Sequence, residues 1–315
     1  MRIWVIGHNG LLGSAIVRTA LTPVFTIDIQ WEDSTLTRNA LREAFEQFVA
    51  WAGAEPWAIC WAAGTAVPAT NPAEFAAQEA VLLDFARFIA GQCAALAATP
   101  GATLGAHGVF WFASSASIYG TSRDIVWSEF DTPHPVGPYP ESKYRLETEL
   151  AKIFSAPTSP SLVIGRITTL YGPGQNLAKP QGLITKMCYE AITRGSVTLS
   201  VPLETLRDYL YVDDAGNQIH ASINSAFRQQ KHHQIDIIAN GTPTSVAELV
   251  RLIPGVTHRR VHVLQLPPSA NSVHATVLLA ASHNPDLAAL PRVSLIDGVQ
   301  RVVADIRQRT LAGLG

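Results

Sequence analysis

The chain has 315 residues, 47% hydrophobic and 15% charged, which is enough for a buried core and one or two domains. A formal net charge of −2, with no basic run, excludes an electrostatic footprint for nucleic acid or for an anionic membrane. Three cysteines (Cys60, Cys93 and Cys188) in no metal-like spacing point to a reducing compartment rather than a disulfide framework, and no metal site is expected.

The chain opens as Met1-Arg2 running straight into Ile3-Trp4-Val5-Ile6 and a glycine, too short an apolar run for a secretory signal. No stretch is expected to reach the ~20 apolar residues that span a bilayer. The expectation is a soluble cytoplasmic protein. Cys60 lies in an apolar run and reads as a buried small hydrophobe. His232-His233 reads as a solvated turn.

Ile3–Ile6 predicts a buried parallel strand, followed by Gly7-His8-Asn9-Gly10-Leu11-Leu12-Gly13 and an apolar-periodic helix from Ser14 to Leu21. Strand, glycine-rich turn and helix in this order form a dinucleotide-binding signal, although the spacing is G-x-x-G-x-x-G rather than the commoner fingerprint. The first glycine permits a tight turn, the second admits a pyrophosphate, and the third packs helix on strand. Val24–Ile27 predicts the second strand, ending at Asp28. A carboxylate there can accept hydrogen bonds from an adenosine ribose and repel a 2′-phosphate, which favours NAD over NADP; the alternative is a turn-capping Asp.

Leu36–Ala52 predicts a helix and Pro56–Trp61 a strand that runs into Ala62-Ala63-Gly64, residues small enough for backbone to lie against a nucleotide. Pro72–Ala98 predicts a long Ala-rich helix whose Phe75, Leu82, Phe85 and Ile89 suit either a core or a dimer face. After a loop at 99–106, Val109–Ala113 predicts a buried strand ending in Ser114-Ser115-Ala116-Ser117. Hydroxyls at the carboxyl end of a parallel strand lie where such sheets place their chemistry. Ser161–Arg166 is a further strand. Strands alternate with helices to this point, which predicts a doubly wound parallel α/β sheet of the Rossmann type. Shorter elements (Leu183–Thr193, Val197–Val201, Val246–Ile253, Val261–Leu266 and Leu295–Gln308) predict a smaller C-terminal α/β lobe. The expected division is 1–166 for the dinucleotide and 167–315 mainly for substrate, with a segment at about 207–240 returning to the first domain.

Tyr139-Pro-Glu-Ser-Lys143 opens a helix continued by Leu146 and Leu150, so Tyr139 and Lys143 lie one turn apart on one face. A free tyrosine titrates near ~10 and is a poor base at neutral pH. A neighbouring ammonium favours the phenolate, and a shift of about three units takes roughly 4 kcal/mol of differential stabilisation. Such a tyrosine can take a proton from a sugar hydroxyl while hydride leaves the same carbon.

These motifs in this order resemble the extended short-chain dehydrogenase/reductase superfamily, in its nucleotide-sugar epimerase/dehydratase group. The resemblance rests on Gly7-x-x-Gly10-x-x-Gly13, Ala62-Ala63-Gly64, Ser114-Ser115-x-x-Ile118-Tyr119-Gly120, Tyr139-x-x-x-Lys143, Arg166-x-x-x-x-Tyr171-Gly172-Pro173-Gly174 and Arg207-Asp208-Tyr209-x-Tyr211-Val212-x-Asp214. It implies Tyr139 as general base, Lys143 on the nicotinamide ribose, and Ser115 on the reacting oxygen. It also implies an NAD site formed by Gly7, Asn9, Gly10, Leu11, Leu12, Gly13, Asp28, Ala62, Ala63, Gly64 and Ile167 together with Tyr139 and Lys143. Ser117, Thr169 and Arg207 are implied on the substrate, with Arg207 forking onto its diphosphate; the alternative for Arg207 is an ion pair with Asp208.

Departures from the family pattern refine this expectation. Ala116-Ser117 stand where 4,6-dehydratases carry an Asp-Glu pair, which argues against dehydration. Ser117 also replaces the cysteine of GDP-fucose synthases, whose opening glycine motif this chain resembles, which argues against double epimerisation. Glu79 stands where most relatives carry an active-site Asn. Three functions are therefore carried forward: an NAD-dependent nucleotide-sugar 4-epimerase, an NAD(P)H-dependent 4-keto reductase, and a non-catalytic dinucleotide sensor. The short Gln30–Pro56 segment lacks the additional strand of epimerases and resembles the reductases more closely, and the apolar helix at Pro72–Ala98 suits a homodimer.

Overall fold

The structure is a computed structural model that describes residues 1–64, 72–99, 108–120, 126–177, 182–267, 277–278 and 281–312. Most of the expected loop at 99–106 lies outside the described residues. The chain begins with β1 (Arg2–Ile6), apolar on both faces, then α1 (Leu11–Arg18), β2 (Val24–Phe25) and α2 (Ser34–Ala52). Asp33 caps α2 by accepting from the amides of Thr35 and Leu36, which fixes where that helix starts. Next come β3 (Trp57–Trp61), α3 (Pro72–Ala97), β4 (Gly108–Ser115), a 3-10 turn at Ala116–Tyr119, α4 (Pro138–Ile153) and β5 (Ser161–Ile167).

The later part comprises β6 (Thr169–Tyr171), α5 (Leu183–Arg194), β7 (Ser196–Leu199), β8 (Leu206–Tyr211), α6 (Val212–Gln229) and β9 (His233–Ile238). After these come β10 (Pro243–Ser245), α7 (Val246–Thr257), β11 (His262–Gln265), β12 (Val277–Leu278), α8 (Pro285–Ala288) and α9 (Leu295–Leu311).

Six strands form one parallel sheet in the order β2-β1-β3-β4-β5-β9. The chain leaves β1 in one direction to make β2, then returns to build β3 on the other side. The order thus reverses between β1 and β3, and in such sheets the ligand crevice opens at the carboxyl ends of the two strands flanking the reversal. Between β2 and β3 the described chain holds only α2, with no additional strand.

Helices cover both faces of this sheet. On one side α2, α3 and α4 bury Trp4, Phe48, Phe85, Phe110 and Ile164. On the other, α1 and α6 enclose Val5, Ile16, Trp111, Ile219 and Ile223. Gly216 lets α6 press onto α1, because a Cβ there would lie 2.4 Å from Thr19 Oγ1 and 2.9 Å from the Ala15 carbonyl oxygen. His220 Nε2 lies 2.8 Å from the Ile16 carbonyl oxygen.

A second sheet centres on β8. Its first half lies between antiparallel β10 and parallel β12, and its second half pairs with parallel β6. With the two-stranded β7–β11 ribbon and helices α5, α7 and α9, it encloses a separate core of Tyr171, Met187, Tyr209, Leu249 and Val299. The chain then returns through α6 to add β9 to the first sheet.

Several sequence expectations need correction. His233 opens β9 rather than forming part of a solvated turn. Strand β2 stops at Phe25, and α1 ends at Arg18, leaving Leu21 fully exposed. Helix α3 is long and apolar enough from Phe75 to Ala97 to cross a membrane by length and composition, contrary to the expectation of no such stretch. Its Phe75, Leu82, Phe85 and Ile89 are nonetheless buried, so they belong to the core and give no support to a dimer face. Cys60 is buried, as its apolar run suggests, and so are Cys93 and Cys188.

Candidate functional site

At the carboxyl end of β1, Gly7 takes a φ of +86°, and an added Cβ would lie 2.7 Å from the backbone of Ala63. Glycine is required there both for the left-handed conformation and for the closeness of the segment after β3. The Gly10 amide donates to the Gly7 carbonyl (3.0 Å), and a Cβ on Gly13 would lie 2.1 Å from that same oxygen. The three glycines thus fold one turn tightly against the first turn of α1. Gly10 caps that helix without any side-chain acceptor, leaving the amides of Leu11 and Leu12 at an open, partially positive terminus. A pyrophosphate fits this chemistry.

Asp28 follows β2 and is exposed, accepting from Asn9 Nδ2 at 2.7 Å, with His8 Nε2 3.4 Å away. The structure therefore brings together Asp28, expected at the adenosine ribose, and Asn9, expected in the cofactor site, and adds His8. Ala62, Ala63 and Gly64, which follow β3, lie directly against the glycine turn, Gly64 with φ +152°. These features fit a dinucleotide: a tight glycine turn in which Gly7 and Gly13 have no room for a Cβ, an uncapped helix start and an exposed carboxylate tied to that turn.

Ser115 ends β4 and caps the 3-10 turn, its Oγ accepting from the Ser117 amide at 3.2 Å. The Ser115 and Ser117 hydroxyls are 2.8 Å apart. Register pairs Ser115 with Ile167, so the expected cofactor contact on β5 lies beside it.

Tyr139 lies in the first turn of α4, with its ring 6.3 Å from that of Phe75. Burial pushes the Tyr139 phenol above its ordinary value, and a hydrogen bond with Ser115 pulls it partly back. The expectation that Lys143 would depress this phenol is not met in the protein alone. The Lys143 Nζ lies 6.0 Å from the Tyr139 ring centre, 4.9 Å from that of Phe112, and donates to the Ala113 carbonyl at 2.8 Å. Burial lowers the Lys143 ammonium from 10.5 to about 8, with Glu147 and Glu79 opposing that shift.

Glu79, on α3, accepts from Ser142 Oγ at 2.6 Å and from Arg145 Nη2 at 2.5 Å. It therefore clamps α3 to the turn of α4 that carries Tyr139 and Lys143. Sequence reasoning left its role open, since nothing local indicates which helix it faces.

Arg207 and Thr169 come from adjacent strands of the second sheet. Thr169 pairs with Tyr209, two residues beyond Arg207, so all three side chains point to one face. The alternative of an Arg207–Asp208 ion pair is not realised. Asp208 is buried and accepts from Thr168 Oγ1 (2.6 Å) and from the amides of Asn240 (2.9 Å) and Gly241 (2.6 Å).

Sequence reasoning missed Glu147 and the contacts of Arg166. Their one local signal is spacing, because Glu147 stands one further turn along the face that already carries Tyr139 and Lys143.

Among known proteins, dTDP-4-dehydro-6-deoxyglucose reductase of Escherichia coli is 25% identical over 203 residues, covering 64% of this chain and 62% of that protein. ADP-L-glycero-D-manno-heptose-6-epimerase of Brachyspira hyodysenteriae is 26% identical over 150 residues, covering 46% of each. The chain therefore matches less than two thirds of either relative. Among solved structures, UDP-glucose 4-epimerase of Thermotoga maritima with UDP-glucose superposes with a TM-score of 0.72 at 20% identity, over 98% of this chain and 100% of that one. UDP-glucuronic acid 4-epimerase of Bacillus cereus, in complex with UDP-glucuronic acid and NAD, gives 0.72 at 19% identity, over 98% and 99%. At such identities these likenesses speak for the fold. The sequence model of the NAD dependent epimerase/dehydratase family matches residues 3–237, most of the chain, and the protein belongs to that family of NAD-dependent oxidoreductases and isomerases.

Proposed function

We propose that the protein is an NAD-dependent epimerase of a nucleotide-activated sugar, working by transient oxidation at C4. The observation that carries this reading is the Ser117–Ser115–Tyr139 series of hydroxyls at the end of β4, with Lys143 one turn along the same helix. Ser115 orients the sugar oxygen, Tyr139 takes and returns its proton, and Lys143 keeps an ammonium beside the phenol. Bound NAD would supply a hydride acceptor and a positive ring near the phenol. The glycine turn, the open start of α1, Asn9 and Asp28 would hold it, with Ala62, Ala63, Gly64 and Ile167 lining its other side. Arg207 grips the diphosphate, and Thr169 and Ser117 contact the sugar phosphate and sugar. Ala116 and Ser117 are small, which suits a keto sugar that must turn over in its pocket.

A second reading, a nucleotide-sugar 4-keto reductase, is favoured by two observations. The chain between β2 and β3 forms only α2, and burial holds the Tyr139 phenol above its ordinary value, a direction that suits a proton donor to a carbonyl. Asp28 weighs against it, since a carboxylate at the ribose repels the 2′-phosphate of NADPH.

The test is the absorbance and mass of the nucleotide that copurifies, followed by addition of UDP- and dTDP-sugars. Retained NAD that reduces transiently is expected. An empty site with stoichiometric NAD(P)H consumption on a 4-keto sugar would replace the epimerase with the reductase.

A further inference from the structure

The turn that carries Ser117 and is capped by Ser115 is gripped from outside at both of its ends. It is four residues of 3-10 helix, Ala116–Tyr119, and a 3-10 turn has poorer hydrogen-bond geometry than an α-helix. So short a turn takes its placement from what holds it. Before the turn, Ser114 Oγ donates to Glu147 Oε1. At its last residue, the Tyr119 hydroxyl accepts from Arg166 Nη1 at 2.6 Å. The Tyr119 ring is also stacked on Trp127, with ring centres 5.6 Å apart and planes 7° from parallel.

The two grips belong to one unit. Arg166 Nη2 donates to Glu147 Oε2 at 2.7 Å, and its Nε lies 3.2 Å from both carboxylate oxygens. Ser114, Tyr119, Glu147 and Arg166 are each at most 4% exposed. Register pairs Ser114 with Arg166 across β4 and β5, so both reach the Glu147 carboxylate from one sheet face. Glu147 itself stands about two turns beyond Tyr139 on α4. One ion pair therefore ties the strand end before Ser115, the turn after it, and the helix whose Tyr139 bonds to the Ser115 hydroxyl.

We propose that Arg166 and Glu147 are positioning residues that act through Ser115: by holding Tyr119 and Ser114, they place the Ser115 hydroxyl against Tyr139. The proposal rests on the roles given to Ser115 and Tyr139 above. Stability alone does not account for the pair, because replacing a buried ion pair by apolar side chains of similar volume is often neutral or stabilising. Apolar side chains would not supply two directional contacts, one to the residue before Ser115 and one to the end of its turn. A misplacement of about 1 Å at a reacting centre costs on the order of 10²-fold in rate. Loosening one tether should therefore show in the chemical step while the fold persists.

The test is a double-mutant cycle with Ser115. Tyr119→Phe removes only the hydroxyl that Arg166 holds and leaves the ion pair in place. It is expected to lower kcat about tenfold, with KM for nucleotide sugar and affinity for NAD unchanged. Arg166→Lys keeps the charge, loses the planar fork and is expected to act in the same direction. In a Ser115→Ala background, assayed at higher enzyme concentration, neither substitution should lower kcat further. An unchanged kcat in Tyr119→Phe, or an equal fold loss in the two backgrounds, overturns the proposal. Should Arg166→Lys fail to fold, Tyr119→Phe decides alone.

A second readout needs no turnover. The Ser117 amide donates to Ser115 Oγ, so its hydrogen exchange, followed by NMR of the 15N-labelled full chain, reports where that hydroxyl sits. Tyr119→Phe is expected to speed this exchange about tenfold, with the amides of β1 unchanged. An unmoved Ser117 rate overturns the positioning role. A wild-type protein that turns over no nucleotide sugar, but whose Ser117 amide responds as described, overturns the reaction assigned above and leaves this positioning role standing.

Discussion

Asn9 and Asp28 meet at the mouth of the crevice, where the Asn9 side-chain amide donates to the Asp28 carboxylate over 2.7 Å. The contact ties an exposed carboxylate to the glycine turn, where the ribose role proposed for it can be tested. Hydrogen bonds to a charged group contribute about 1.5–3 kcal/mol. Asp28→Ala is expected to weaken NAD about tenfold or more and to narrow the preference over NADP. Titration of both nucleotides by calorimetry checks this, and an unchanged ratio would remove Asp28 from the ribose site.

Tyr139→Phe deletes only the hydroxyl that meets Ser115. The ring packing against Phe75 remains. Turnover is expected to fall by about 10³-fold or more, with NAD affinity and thermal stability within error of wild type. Retained turnover would reassign the proton to another group.

The Lys143 ammonium has a pH signature in stability. Its folded value, about 8, lies below its ordinary 10.5, so the unfolded chain binds more protons between those limits. Stability contributed through this group therefore rises with pH across that window, and the burial penalty is fully felt below pH 8. Urea midpoints measured at pH 7 and pH 9 should show this rise, and Lys143→Met should flatten it.

Glu79 is expected to matter through α4. Glu79→Ala leaves Ser142 and Arg145 without their shared acceptor, at a cost of about 1–3 kcal/mol. Denaturant unfolding should register the loss. If Glu79 instead touched the sugar, substrate KM would rise with stability unchanged.

Gly13→Ala forces a Cβ to within 2.1 Å of the Gly7 carbonyl. The glycine turn and α1 must separate, so NAD binding is expected to drop by tenfold or more, about 1.4 kcal/mol. A Gly53→Ala control meets no atom within 4 Å, although its φ of +59° carries backbone strain of its own, and it should leave NAD binding unchanged.

The glycine turn was legible because its constraint is local: Gly7, Gly10 and Gly13 crowd one another within a single turn. The face shared by Tyr139 and Lys143 was equally legible from helical period. Where the Lys143 ammonium goes was not, since its acceptor, Ala113, belongs to another strand. The second sheet was the least readable part. Strand β6 is three residues long, too short for alternation to show. In β8, the sequence offered an Arg207–Asp208 ion pair as one reading, whereas Asp208 is satisfied by Thr168, Asn240 and Gly241, all distant in the chain. The Ala-rich α3 concealed which of its faces is buried, because small residues blur the apolar period.

The path through β8, α6 and β9 bears on how this chain can be dissected. A fragment ending at residue 166 would contain everything expected to touch the cofactor except Ile167, yet it would lack β9 and the helix that covers α1. Strand β5 would become a bare edge, with Val163 and Ile164 and their neighbours open to pairing with other chains. Cutting at the apparent boundary should yield aggregates, whereas nicks in surface turns of the later segment would leave a soluble, associated pair of pieces.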